Sequence, residues 1–570
     1  MSATNAMVNT QVPSARDHPL SPQIPGIRSP AANLASKSIK LPTPIIVQKL
    51  EYLLKCYPQC AFLIQGFKYG FRLHYNGPEQ SYELKNNKSV FVNENDVFEK
   101  VLKEVNLGRT AGPFLNKPFD NFHVSPLGRV AKKETGQFRI IHDLSQPKGY
   151  SVNSFIPDEF ASVKYKTFDD VVQLVIFHGP KALIAKCDVA DAFRIIPVHP
   201  DDYHLLGFKL LEKYYFFDRV LPMGCRVSCQ IFEEFSKAIR FIVYTKFHFQ
   251  SITGILDDFI LVGKAGTSDC MRGLKAVMKV AELVGIPLKP SKTVLPSTCV
   301  IVFGIQIDTV NMSATIPVDK LQKAVVLIDD FLTKTHVYLY QVQKLAGLLN
   351  FMCKCVRPGR AFMRRMWDLT CLSNETNDKN VLIPLTAAAK QDMKAWKLFL
   401  MSFNGTTLLT DEVWTSNHAL HLYTDSCQTV GYAGVLNEQW FCGQWEEKFK
   451  PCNILLLELI PIVIALHLFS NQLSNKYIVL HTDNMSLVHV LNNQTSKCSK
   501  TMALVRKLVV HLLLNNINIR AQHIPGCKNT IADCLSRFKV KEAKRVAPWL
   551  NEKPLTIPLE FQPCSLLQHL

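Results

Sequence analysis

Residues Gly254–Gly263 read GILDDFILVG. Two adjacent acids, Asp257 and Asp258, stand inside an apolar, β-prone run closed at both ends by glycine. Such a run reads as strand–turn–strand, so the pattern predicts a hairpin with the acid pair at its bend. Side-by-side carboxylates repel, and burial makes their ionised forms costly. A divalent cation relieves both problems, and Mg²⁺ suits a site of one or two carboxylates plus substrate phosphates. The sequence carries its own control, because Asp-Asp occurs at 169/170, 201/202, 257/258 and 329/330. The last, VVLIDDFLTK, has nearly the same flanks but lies in a stretch of 3–4 apolar spacing without glycines. There the pair reads as a solvated or capping feature of a helix. The dipeptide alone says little; its surroundings must supply the rest.

A second acidic stretch lies upstream. LIAKCDVADAFRIIPVHP at 183–200 is a strand-like run ending in Asp188, with Asp191 and Phe193 just beyond it. Taken by itself this is an ordinary strand–helix junction with a capping acid. The whole chain has 570 residues, 47% of them hydrophobic and 20% charged, which is enough apolar material for several cores. Gly and Pro are too few for a collagen-like or wholly disordered protein. The net charge of +18 favours a polyanionic partner, most simply nucleic acid. The 17 cysteines are scattered, with no CxxC and no zinc-finger spacing, and read as reduced thiols.

Along the chain, residues 1–45 are rich in Pro, Ser, Ala and Asn and read as a disordered tail. Residues 46–111 mix a helix-like pattern (VQKLEYLLKCY) with a strand-like one (FRLHY) and announce no role. Residues 112–310 alternate strands (138–142, 183–187, 214–217, 260–262) with helices (229–244, 270–284). Residues 311–405 are helical: Leu321, Val325, Ile328 and Leu332 share a face, with Asp319 placed to cap, and Val342, Leu345 and Leu349 repeat the pattern. Residues 406–540 return to α/β, with strands 421–424 and 477–482 each followed by an Asp. Residues 541–570 read as a C-terminal tail. The longest apolar run, Ile454–Phe469, is too short to cross a membrane and is broken by Glu458, Pro461 and His467. It reads as a buried helix whose one acid needs a reason. The expectation is a cytoplasmic or nuclear protein, neither secreted nor membrane-bound.

Taken together, the two acidic stretches resemble the palm of the reverse transcriptase family. Asp188 matches the first catalytic aspartate in the form D-x-x-x-A-[FY], and ILDDF matches the [Y]-x-D-D box. LPMGCRVSCQIFEEFS at 221–236 is similar to the family's L-P-x-G segment beneath the templating base, here Met223 and Gly224. KKETGQFRIIHDLS at 132–145 resembles the fingers strand pair, with Lys132 and Arg139 at the positions that grip the triphosphate. GIPLKPSKT matches the motif around a lysine, here Lys292, and IVFGIQID at 301–308 resembles the primer-grip hairpin. The resemblance implies two Mg²⁺ ions (Mn²⁺ serving as a substitute) held by Asp188, Asp257 and Asp258. It also implies Asp191 and Phe193 against the nucleotide, the Phe193 ring leaving no room for a 2′-OH. One departure stands out: Ile255 occupies the place where the box begins with Tyr.

The second half resembles the ribonuclease H fold. LYTDSCQTVGYAGV carries Asp425, the apolar helix carries Glu458, YIVLHTDN carries Asp483 and HIPGCKNTIADCLSR carries Asp533. The resemblance makes these a second two-metal set and gives the buried glutamate its reason. Where the family often has a histidine before the last Asp, this chain has Cys527, with His523 slightly earlier. GRTAGPF (108–114), LAGLLNFMCKCVRPGRAFMRRM (345–366) and HIPG…ADCLSR closely resemble DIRS-type retrotransposons, whose tyrosine recombinase is encoded elsewhere in the element; a Gypsy-type origin is the competing one. The implied architecture is α/β and α+β multidomain: a right-hand polymerase of fingers, palm and helical thumb/connection, then a ribonuclease H-like mixed-sheet domain. The implied partners are an RNA template, a DNA primer, their RNA–DNA hybrid and dNTPs. Arg357, Arg360, Arg364 and Arg365 are candidate phosphate contacts. The rival is an element-derived nucleic-acid-binding protein that no longer polymerises, and the seven intact acids argue against it.

Overall fold

The computed structural model describes residues 40–567 apart from 133–135, 372–379, 403–406, 409–413, 417–418, 475 and 516. The expected disorder of residues 1–45 therefore falls almost wholly outside the described residues. The chain divides into two compact units, Met1–Thr167 with Lys186–Leu261 and Met271–Thr293, and Phe168–Ala185 with Val262–Cys270 and Val294–Leu570. Among the described residues no helix is long and apolar enough to cross a membrane.

The first unit opens with helices α1 (Val47–Leu53), α2 (Cys60–Tyr69) and α3 (Glu94–Asn106). Asn93 caps α3 by accepting from the Asp96 N–H, and Glu94 and Asp96 suit the positive end of the helix dipole. The apolar face of α3, Val97, Phe98 and Val101, enters one core with Leu127, Phe208, Leu210 and Phe216. These last come from strands β2 (Leu127–Ala131), β5 (Gly207–Leu210) and β6 (Tyr214–Asp218). Strand β1 (Thr110–Phe114) pairs antiparallel with β6, and β6 with β5. β2 pairs antiparallel with β3 (Phe138–His142), so the stretch 132–145 contains one strand of a two-stranded hairpin. β4 (Leu183–Asp188) lies beside β8 (Asp258–Gly263), which pairs with β7 (Ile252–Ile255). Helix α4 (Ser228–Phe247) buries Ile231, Phe232, Phe235, Ile239 and Ile242 at helical spacing, and α5 (Asp269–Val284) follows the hairpin.

FRLHY forms no strand beyond a single bridge at Phe71. Its backbone is satisfied otherwise: Leu73 N–H donates to the buried Asp202 carboxylate at 2.6 Å, and Arg72 pairs with the same group. A side chain supplies the acceptor that a neighbouring strand would have given.

In the second unit, β9 (Cys299–Val302) and β10 (Ile305–Asp308) form the antiparallel hairpin expected at 301–308. Helices α6 (Val318–Thr333), α7 (Leu339–Met352) and α8 (Ala387–Ser402) follow. Val342, Leu345 and Leu349 are buried on α7, as their spacing predicts. Asp319 lies in the first turn of α6 and does not cap it; the N-cap position is Pro317. The control pair 329/330 sits on α6 and is held by lysines, Asp329 by Lys397 and Asp330 by Lys334, each at 2.6 Å. Strands β11 (Leu422–Cys427), β12 (Gly431–Leu436) and β13 (Gln439–Gln444) form one antiparallel sheet. α9 (Ile454–Leu468) comes next; a short strand at Trp414–Ser416, ahead of β11 in the chain, forms a parallel sheet with β14 (Tyr477–Thr482) and β15 (Asn518–His523), and α10 (Ser499–Leu514) lies between the last two strands in sequence. Helices α11 (Thr530–Ser536) and α12 (Val540–Val546) close the unit, burying Leu535, Ala543, Ala547 and Leu550 against Val435 and Trp440. The segment after residue 540 thus packs: Leu555 N–H reaches the Trp440 carbonyl at 2.6 Å.

Candidate active sites

Strand β4 ends in Asp188, which is only 3% exposed. The backbone fixes it there, because Lys289 N–H donates to the Asp188 carbonyl at 2.8 Å. The next residue, Val189, donates to the Asp257 carbonyl at 3.0 Å, which ties the strand end to the hairpin bend. That bend is tight. Leu256 adopts φ +52°, a left-handed conformation that costs a branched side chain energy. Its N–H donates at 2.7 Å to Glu233, a fully buried acid on α4. Arg240, two turns further along α4, donates to the other Glu233 oxygen and to the Gly254 carbonyl, both at 2.6 Å. A buried ion pair therefore grips both sides of the turn that presents Asp257 and Asp258.

The three acids strain one another. Burial first, then the Asp188 and Asp258 charges, push Asp257 up to about 6. Burial also raises Asp258, against the pull of Lys186 at 3.7 Å. Asp188 accepts from Lys292 Nζ at 2.7 Å. Among the described residues no three His, Cys, Asp or Glu side chains converge closely enough to hold an ion as they stand. The two lysine ammoniums bind the carboxylates instead.

A cavity of about 550 Å³ opens beside these acids, and Lys132, Arg139, Asp191, Phe193, Met223 and Lys292 line it with Asp188 and Asp257. Asp258 and Gly224 complete the set from outside its lining. Gly224 has φ +125°, and a Cβ there would stand 2.0 Å from the His142 carbonyl oxygen, so the Pro-Met-Gly turn needs glycine. Phe193 meets Phe232 edge to face at 5.8 Å. Asp191, at φ +52°, accepts from Arg109 at 3.0 Å.

Sequence reading missed the charged floor of this cavity. Arg194 binds Glu104 at 2.9 Å and Asp218 at 2.8 Å, and Asp218 also accepts from Thr110 at 2.8 Å and faces His142. Burial would raise Asp218, yet the Arg194 guanidinium and His142 hold it down to about 2. Glu233 and Arg240 were also missed, although a charged pair seven residues apart on an apolar helix face was the available signal.

The second unit gathers the other four acids. Asp425 lies on β11, Glu458 on α9, Asp483 just past β14 and Asp533 on α11. Burial, then the neighbouring Asp533 and Asp483, raise Asp425 to about 6, against a 2.6 Å hydrogen bond from Ser536. Burial, then Asp483, raise Glu458 to about 7, and its Oε2 is buried with no hydrogen-bond partner among the described residues. Arg537 binds Asp533 at 2.8 Å. His523 is exposed, and the Cys527 side chain lies outside the described ones. Of the four candidate arginines, Arg365 is committed to the buried Asp392 and Arg364 to Asp368, whereas Arg357 and Arg360 are exposed.

Residues 130–307 match the family model described as reverse transcriptase (RNA-dependent DNA polymerase). This stretch is a reverse transcriptase domain. It contains the β2–β3 hairpin from Val130 onward, Asp188, the Leu221–Gly224 turn, the Asp257–Asp258 bend and Lys292. Among solved structures, a foamy viral protease–reverse transcriptase in complex with double-stranded DNA is similar at 14% identity and a TM-score of 0.46, over 86% of this chain and 83% of that one. A foamy viral protease–reverse transcriptase with an RNA/DNA hybrid is similar at 13% identity and a TM-score of 0.46, over 85% of this chain and 64% of that one.

Proposed function

We propose that the chain is the RNA-directed DNA polymerase of a DIRS-type retrotransposon, with a ribonuclease H module in residues 406–540. The observation that carries this is a cavity lined by Asp188 and Asp257 together with Lys132, Arg139 and Lys292, with Asp258 next to Asp257 in the chain, all inside the stretch that matches the reverse transcriptase family model. Carboxylates and cations lining one cavity suit a metal-bound triphosphate. Domain boundaries follow the sequence reading: extension 46–111, fingers and palm 112–310, helical thumb/connection 311–405.

The residues fit a pair of Mg²⁺ ions chemically. Asp257 is held far above the ordinary aspartate range by burial and by two neighbouring acids, which a divalent cation would offset. Asp188, Asp257 and Asp258 would hold the ions, whose chemistry when bound is to polarise the attacking hydroxyl and neutralise phosphoryl charge. The chain's own groups do the rest. Lys132 and Arg139 bind and orient the phosphates. Phe193 closes the space at the sugar 2′ position, and the Met223–Gly224 turn supports the base. The Glu233–Arg240 pair keeps the acid-bearing turn in place. In the second module Asp425, Glu458, Asp483 and Asp533 are the corresponding acids, and the unpartnered Glu458 oxygen is the feature that fits a cation there.

The test is dTTP incorporation on an RNA template with a DNA primer, in Mg²⁺ and in Mn²⁺, beside Asp257→Asn. Incorporation that disappears in the variant is the expected result. If folded protein binds the hybrid yet adds nothing with either ion, the polymerase reading fails and the nucleic-acid-binding rival replaces it. Hybrid cleavage beside Asp483→Asn tests the second module separately.

A further inference from the structure

The helix α3 precedes the reverse transcriptase domain and had no role on sequence. Its outer face is turned to the cavity, which Lys100 and Glu104 line. Its inner face is fastened by Val97, Phe98 and Val101 in the core shared with β2, β5 and β6. A helix bolted on one side is a rigid wall on the other, and what it displays is held in place.

Lys100 is half-buried, with its ammonium 4.5 Å from the Phe138 ring centroid and donating to the Phe138 carbonyl. An ammonium has three protons to donate, and this bond uses one. Phe138 is next to Arg139, so the bond also places Lys100 beside the strand that carries Arg139. Burial and the nearby Lys132 ammonium hold Lys100 below the usual lysine range. One turn on, Glu104 could have balanced it, but Glu104 is committed to Arg194 at 2.9 Å and Arg109 at 3.7 Å. Among the described residues none of Lys100, Lys132 and Arg139 has a carboxylate at ion-pair distance. Three cations lining one cavity, none of them ion-paired with a described carboxylate, favour a polyanion there.

We infer that Lys100 is a third cationic contact to the triphosphate of the incoming nucleotide, supplied by a helix outside the residues that match the family. The inference rests on the polymerase reading and names a residue of its substrate site.

The experiment uses the full chain bound to an RNA template and a dideoxy-terminated primer, with Mg²⁺, and reads how dTTP stabilises that complex without turnover. Lys100→Gln removes the charge and retains an N–H donor on a side chain one atom shorter. It should raise the half-saturating dTTP concentration roughly 10-fold, as expected for losing a charge-assisted hydrogen bond. Lys100→Arg should restore most of the affinity, and affinity for the template–primer should not move. If the wild-type complex responds to dTTP and Lys100→Gln responds within about twofold of it, Lys100 is structural only and the inference is overturned. If wild-type protein binds the duplex but never responds to dTTP, the polymerase reading fails and the inference fails with it. Should the variant not fold, acetylation of wild-type lysines by acetic anhydride decides. With dTTP and duplex bound, Lys100 labelling should drop several-fold by mass spectrometry, and equal labelling with and without dTTP overturns the inference.

Discussion

Replacing Asp218 with asparagine isolates the buried charge network beneath the cavity. The amide oxygen can still accept from Thr110 and Arg194, so the negative charge is lost together with the acceptor that faces His142. Two effects oppose each other at this position. Burial disfavours the carboxylate, and the Arg194 guanidinium with His142 favours it. The second wins, because Asp218 is pulled from 3.8 to about 2. At ~1.4 kcal/mol per pH unit of displacement, the ionised group stabilises the folded state by about 2–3 kcal/mol near neutral pH. A depressed carboxyl gives its stability above the unfolded value and loses it as pH falls through the folded value. The loss therefore lies between roughly pH 4 and pH 2, and the effect of Asp218→Asn should be the same at pH 5 and pH 7. Tryptophan fluorescence is blind here: Trp367, Trp396, Trp414, Trp440, Trp445 and Trp549 all belong to the second unit. The assay is hydrogen exchange by mass spectrometry on peptides covering β1 and β6, with β13 as an internal control. Exchange in β1 and β6 should accelerate by roughly 30–150-fold while β13 stays as it was. Unchanged exchange, or a difference that disappears at pH 5, would refute the claim that attraction outweighs burial at Asp218.

Glu233→Ala leaves Arg240 buried and unpaired and frees the Leu256 turn; it should cost about 3–5 kcal/mol, whereas Glu233→Gln, which keeps the acceptor, should cost much less, and urea unfolding followed by circular dichroism ranks the two. Phe193→Val should lower discrimination of dTTP against UTP by roughly 10-fold or more, read as the ratio of kcat/KM values, because a smaller side chain no longer fills the space at the 2′ position. Arg357→Ala and Arg360→Ala should each reduce the salt dependence of hybrid binding by about one unit of log–log slope, while Arg364→Ala should leave it unchanged, since Arg364 is paired with Asp368.

What was legible in the sequence was whatever a short period encodes. The hairpin around Asp257 and Asp258 followed from glycine-bounded apolar runs, and the α7 core stripe from Val342, Leu345 and Leu349. The identical-looking pair at 329/330 was separable because its surroundings had the other period. What escaped depended on contacts distant along the chain. FRLHY has strand-like composition, but Asp202, about 130 residues away, supplies its backbone acceptor. Asp218 and Arg194 gave no signal, because a single charged residue in a strand or turn looks the same whether it faces water or a buried partner. The arginine run at 357–365 failed in the same manner: local charge suggested one surface, but Arg365 is spent on the buried Asp392.

The two carboxylate clusters share one physical arrangement. In each, an acid sits on a strand that burial would force it to share with apolar neighbours, and further acids approach from a bend or a helix. In each, at least one carboxyl is held well above its ordinary range, Asp257 and Asp425 near 6 and Glu458 near 7. A fold under selection for stability alone would replace these acids with amides, since each raised carboxyl destabilises the folded protein as pH rises through that range. The molecule instead surrounds them with weak relief: Lys292 and Lys186 in the first unit, Ser536 and Arg537 near the second set. Relief from a single ammonium or hydroxyl is incomplete, as the raised values show. A divalent cation would offset the same repulsion more fully. Side chains such as Lys292 would then be released from the acids they now bind.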